Sequence, residues 1–184
     1  MTAQLTAPLT ANDIESWIAE NRTKAKPPSG VVPFMTEGML GMGIYGPNNR
    51  SDFHVQDGEE IFIQYHGTMT LRIVQDGQVH DILLPPGSFY ALPAGVPHSP
   101  QRPEGSFGFV IERKVAGGRN DELLWVCEAD GCMTVVHREP LKIEGMGEIP
   151  AAIGAALAKF DASEELRTCP TCGKVKPARA SAET

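Results

Sequence analysis

No apolar run in these 184 residues approaches the roughly 20 consecutive residues a membrane-spanning helix requires, so a helical membrane anchor is excluded. Positive charge is also scarce. Lys and Arg total 16 against 23 Asp and Glu, for a net charge of -7, and no basic cluster stands out. Nucleic acid and anionic membrane are therefore not expected partners, because both demand concentrated cations. The N-terminal Met-Thr-Ala-Gln-Leu-Thr-Ala-Pro-Leu-Thr-Ala-Asn-Asp stretch has neither the basic patch nor the apolar core of a signal peptide, and a cytoplasmic location is the expectation. Cysteine is limited to four residues, which in such a compartment points to metal or free thiols before disulfides. No internal repeat and no helix-turn-helix pattern is present.

Turn-forming residues, by contrast, are abundant: 19 glycines and 15 prolines suit a β-rich chain better than a helical bundle. Residues 10 to 22 read as an amphipathic helix capped by Asn12, with Ile14, Trp17 and Ile18 on one face. Lys26-Pro-Pro-Ser-Gly30 ends it and begins an extended segment. From about residue 37 to 137 the period becomes two. Met69, Leu71 and Ile73 alternate with Thr70, Arg72 and Val74, and Asp76-Gly77 predicts a tight turn before a strand over 78 to 84. Further strands are predicted at 60 to 65, 88 to 92, 106 to 113, 123 to 127 and 133 to 137. Short strands at this spacing predict an all-β barrel or jelly roll. A second helix is predicted over Ala151 to Phe160, and the stretch after Gly173 reads as a loose tail.

Two spaced motifs carry the chemistry. The first is His54-x5-Glu60-x6-Gly67; the second is Gly87-x5-Pro93-x-Gly95-x2-His98. Two imidazoles and a carboxylate can occupy one face of a ferrous ion and leave the opposite face open. His54, Glu60 and His98 are the candidates, with Glu59 competing for the carboxylate position. Neighbouring strand residues point to opposite faces, and periodicity alone does not choose between Glu59 and Glu60. His66, His80 and His137 lack this joint spacing and read as ordinary histidines.

These motifs resemble those of the cupin superfamily over roughly residues 46 to 102. The string Gly46-Pro-Asn-Asn-Arg50-Ser-Asp-Phe-His54, then Glu59-Glu60, then His98-Ser-Pro-Gln-Arg102-Pro-Glu104, then Val110-Ile-Glu112-Arg113, is similar to the 3-hydroxyanthranilate 3,4-dioxygenase family. The resemblance implies a cupin double-stranded β-helix with a short N-terminal helix and a small C-terminal helix and metal knuckle. It implies a catalytic body over 1-140 and a C-terminal extension over 141-184. It also implies an Fe(II)-dependent ring-cleaving dioxygenase acting on a carboxylated o-aminophenol, and a homodimer. Its pattern makes Glu60 the ligand with His54 and His98, places Arg50 and Arg102 at the substrate carboxylate, and gives Glu112 the amine. Guanidinium suits that task, because its planar fork grips a carboxylate in two-point fashion.

The chain departs from the family at Asn49, where His is usual, at Phe53, where Tyr is usual, and at Ser29-Gly30-Val31-Val32, where Val-Gly-Asn-Arg is usual. Val31 would thus replace a polar substrate contact by an apolar one, and an isomeric amino-hydroxybenzoate or substituted aminophenol becomes an alternative substrate. A non-catalytic metal-binding cupin is the remaining alternative, for which nothing in the sequence speaks. Finally, Cys169-Pro-Thr-Cys172-Gly173 is a metal-knuckle pattern whose partner would be Cys127 and Cys132. Bacterial family members have a rubredoxin-like site here, normally with two residues inside the first pair rather than four. Spacings of two to four close tetrahedral sites, so a structural iron or zinc is expected at the four thiolates.

Overall fold

A computed structural model describes residues 13–25, 30–48, 50–113, 120–129, 131–141 and 149–179. Among the described residues, eleven strands form two antiparallel sheets. The first orders β1 (Gly30–Met35), β2 (Met39–Tyr45), β9 (Phe107–Arg113), β4 (Glu60–His66) and β7 (Phe89–Leu92). The second orders β11 (Val135–Leu141), β10 (Asp121–Val126), β3 (Phe53–Val55), β8 (His98–Gln101), β5 (Met69–Gln75) and β6 (Gln78–Leu84). The expected double-sheet β fold is therefore present.

The alternation read in the sequence explains how the sheets face each other. Phe62, Leu92 and Val110 of the first sheet pack on Met69, Leu71, Ile73 and Leu84 of the second, all of them buried. Burying side chains of this size contributes about 1.5–3 kcal/mol each, which is the main force closing the sandwich. Asp76 and Gly77 both adopt positive φ, 52° and 70°, and join β5 to β6 as the turn chemistry requires.

Helix α1 (Ile14–Asn21) is shorter than predicted, and its cap is Asp13, whose carboxylate accepts from the Ser16 backbone amide at 2.8 Å. The predicted cap, Asn12, lies outside the described residues. Trp17 of this helix lies directly over Gly43 on β2, where an added Cβ would come within 2.8 Å of the indole, so glycine lets the helix dock on the sheet.

Helix α2 (Ile149–Ala162) extends beyond the predicted segment at both ends, and the short α3 (Glu164–Arg167) was not foreseen. Leu157 and Phe160 of α2 pack with Leu123, Trp125 and Leu141, and Phe160 stacks on Trp125 at 4.1 Å between ring centroids. The predicted loose tail is tied down as far as Arg179. The Lys176 ammonium donates to the Val126 carbonyl at 2.8 Å, and Arg179 pairs with Asp161 at 2.7 Å. Side-chain anchoring of this kind, invisible to composition, overrides the polar character of the segment.

Candidate metal and substrate site

Strand pairing brings the two sequence motifs together. His54 on β3 is the cross-strand partner of His98 on β8, so both rings project from one face, with centroids 5.3 Å apart. His98 is in turn opposite the buried Ile73, which makes that face the interior one. From the other sheet, Glu60 on β4 faces Leu92 and Glu112 in register. Its Oε1 lies 3.1 Å from His98 Nε2. One ligand atom from each of His54, Glu60 and His98 lies within 4.8 Å of the others, and all three residues are buried. Glu59, the competing carboxylate, is on the outer face and pairs with Arg113. Of the two carboxylates left open by alternation, Glu60 is the one buried in the interior.

A ring of neighbours that sequence reasoning did not name holds these three. The Gln56 amide donates to Glu60. The Asp121 carboxylate lies 3.0 Å from His54 Nε2, the arrangement by which a carboxylate fixes the orientation of a metal-binding imidazole. The Val96 carbonyl is 3.1 Å from His98 Nδ1. Burial holds His54 below its usual range despite the Asp121 contact. Burial acts the same way on His98, but the adjacent Glu60 outweighs it and leaves that ring raised.

The two arginines differ in a way that spacing could not reveal. Arg50 is bound in two-point fashion by the fully buried Asp52, so its charge is already matched. It lies within electrostatic reach of Glu60 and His98. Arg102, only 3% exposed, has no carboxylate partner among the described residues. Its Nη1 donates to the neutral Gln64 Oε1 at 3.2 Å, and its Nε meets no acceptor. Burial alone pushes its guanidinium down to about 10. Glu112 is buried one strand away from Glu60, on the same face.

Val31 falls elsewhere. It packs with Ile18, Tyr45 and Phe107 near α1, in a cluster separate from the Phe62 and Leu92 core beside the metal set. Asn49 and Ser29 lie outside the described residues, and Phe53 is buried with Leu124 and Val126. A cavity of about 160 Å³ lined by Ile18, Arg22, Tyr45, His66 and Phe107 is also on the α1 side and includes none of the three metal candidates. Two of the other histidines have partners away from the metal set: His137 packs on Trp125 and pairs with Glu139, and His66 meets the exposed Glu15.

A model of the 3-hydroxyanthranilic acid dioxygenase family matches residues 7–156. The chain belongs to this family. It is accordingly an aromatic ring-cleaving dioxygenase, an oxidoreductase. Two 3-hydroxyanthranilate 3,4-dioxygenases illustrate the relationship. That of Candida albicans is 38% identical over 167 residues, covering 91% of this chain and 95% of the relative. That of Ruegeria pomeroyi is 38% identical over 176 residues, covering 94% of each. A cupin-2 domain protein of Shewanella frigidimarina aligns at a TM-score of 0.46 and 21% identity over 53% of this chain and 92% of that one. The family assignment rests on the sequence matches and not on this structural likeness.

The four cysteines, meanwhile, gather at the far end of β10. All four sulfurs lie within 4.8 Å of one another, with Cys127 to Cys172 at 3.6 Å and Cys132 to Cys169 at 3.7 Å. Backbone amides of Cys172 and Thr171 approach the Cys169 sulfur and bring that thiol down to about 6. The four-residue spacing of the first pair therefore does not prevent convergence. Among the described residues no helix is long and apolar enough to cross a membrane.

Proposed function

We propose that this chain opens the ring of 3-hydroxyanthranilate with dioxygen, using one Fe(II) held by His54, Glu60 and His98. The observation that carries the substrate class is the buried, unmatched charge of Arg102. An isolated buried charge costs several kcal/mol. It is retained where a ligand completes it, and a flat guanidinium is complementary to a carboxylate. The metal set supports iron by its chemistry: two imidazoles and one carboxylate, buried beside apolar Phe62 and Leu92, form a donor set of the kind that binds ferrous iron with positions left open.

When bound, the iron supplies coordination for the substrate's hydroxyl and amine and the electronic means of engaging dioxygen, both atoms of which end in the ring-opened product. The protein's own groups orient the reactants. Arg102 holds the ring carboxylate. Arg50, fixed by Asp52, sets positive charge close to the metal side of the site. Glu112, beside Glu60, orients the substrate amine and accepts a proton from its nitrogen. Gln56 and Asp121 fix Glu60 and His54. The isomeric-substrate alternative drew on Val31, which packs in the α1 cluster, and 3-hydroxyanthranilate itself is the preferred reading.

The four thiolates complete a second, structural metal site of iron or zinc that fastens the extension over 141-184 to the body over 1-140. A cytoplasmic homodimer fits the same reading, with the exposed Val32, Met35, Met39 and Phe89 of the first sheet available for association. Protein reconstituted with Fe(II) without air, then given 3-hydroxyanthranilate and oxygen, should consume about one O2 per substrate with loss of the aromatic absorbance. Failure to retain iron, or retention without oxygen uptake, would overturn the proposal.

A further inference from the structure

Gln64 shares the interior face of β4 with Glu60 and Phe62, lies beside the bulge at the end of the strand, and is 1% exposed. Its amide has two unlike ends with unlike partners. Nε2 donates to the His66 and Gly67 carbonyls at 2.8 and 2.9 Å. Both carbonyls are presented by the irregularity between Gln64 and His66 and by the positive φ of Gly67, 64°. With the nitrogen fixed there, Oε1 has to face Arg102 Nη1, 3.2 Å away. A second residue makes room for the contact. An added Cβ on Gly108 would lie 2.6 Å from Gln64 Oε1 and 3.2 Å from Arg102 Nη1.

We propose that Gln64 is a positioning residue for the substrate carboxylate, aiming the Arg102 guanidinium through a neutral acceptor that leaves its charge uncancelled. This rests on the Arg102 reading above. The contrast with Arg50 gives the reason for neutrality. Asp52 both orients and neutralises its arginine, whereas an amide only orients. A glutamate at position 64 would satisfy Arg102 internally and compete with the ligand's carboxylate. It would also turn an oxygen towards two backbone carbonyls that need a donor.

The test compares wild type, Gln64→Met, Gln64→Glu and Arg102→Met, all iron-loaded, on 3-hydroxyanthranilate and on 2-aminophenol, the same ring without the carboxylate. A hydrogen bond to a charged group is worth about ten- to a hundredfold in affinity. Gln64→Met should therefore raise KM for the carboxylated substrate by about that factor. Its kcat should stay within about threefold, and so should KM for 2-aminophenol, which makes no demand on Arg102. Gln64→Glu should erase the preference for the carboxylated ring altogether. Should Gln64→Met fail to fold, Gln64→Asn keeps the donors while falling short of Arg102, and the same KM shift is expected. If Arg102→Met loses the preference while both Gln64 variants keep it, the positioning role is refuted and the carboxylate site stands. If wild type itself shows no preference, the Arg102 reading and the inference built on it fall together.

Discussion

Replacing Arg102 by methionine should disable the protein without destabilising it. The drop of the guanidinium from its ordinary value to about 10 corresponds to about 3 kcal/mol of unfavourable burial in the free protein. Methionine fills much of the same volume without the charge, so that penalty disappears. Against it stands the orphaned Gln64 Oε1, a buried acceptor whose loss of partner costs about 1–3 kcal/mol. The balance lies between about zero and a gain of about 2 kcal/mol, or a rise of up to roughly 8 °C in Tm for a chain of this length. The catalytic effect has the opposite sign: removing one member of a buried charged contact to substrate costs about 2–5 kcal/mol, so kcat/KM should fall by about 10²-fold or more. Thermal unfolding of the metal-free protein and oxygen-uptake kinetics of the iron-loaded protein read the two effects separately. A variant that is less stable than wild type and keeps kcat/KM within threefold would refute the reasoning, because Arg102 would then be an ordinary structural residue.

Other expectations follow from the same geometry. Glu60→Ala should abolish Fe(II) retention by metal analysis and reduce turnover to background, while Glu59→Ala, on the outer face, should leave both unchanged. Cys169→Ser should remove one metal equivalent per chain and lower Tm, with kcat on reconstituted Fe(II) enzyme within about threefold, since it lies at the far end of β10. Asp52 is pushed up by burial, but Arg50 outweighs this and leaves it below its ordinary 3.8. A carboxylate depressed in the folded state contributes stability above its unfolded value and loses it as pH falls through the lower folded value. Wild type should therefore lose stability on descending below about pH 3.8. Asp52→Asn, which leaves Arg50 buried and unmatched, should lose about 3–5 kcal/mol at neutral pH and show a flatter acid limb in denaturant titrations.

Much of this arrangement was legible before any coordinates, for identifiable reasons. Alternation located β4, β5, β6, β7 and β9 nearly to the residue, because each has one face in the core. It missed β3 and β8, which are three and four residues long and too short to display a period, although they carry His54 and His98. The Glu59 and Glu60 ambiguity was intrinsic to a period of two and needed the second sheet to resolve. Arg50 and Arg102 looked equivalent in sequence. Only the fold shows that one has Asp52 two residues away as its partner and the other has an amide 38 residues back. Gln64 was visible as a polar residue in phase with Glu60 and Phe62, a signal that its side chain faces inward and must be satisfied there. Asp121 carried no such signal, since its role arises from the pairing of β3 with β10.

That same pairing has a consequence for how the molecule could be dissected. One short strand supports His54 through Asp121 near its start and runs into Cys127 at its other end, and Phe160 lies flat on the indole between them. A chain cut after Leu141 would forfeit half of the sulfur cluster and expose Trp125 two residues from the strand position facing His54. The extension thus covers the strand that carries Asp121, and a chain ending at Leu141 is expected to bind Fe(II) more weakly as well as to lose the sulfur cluster.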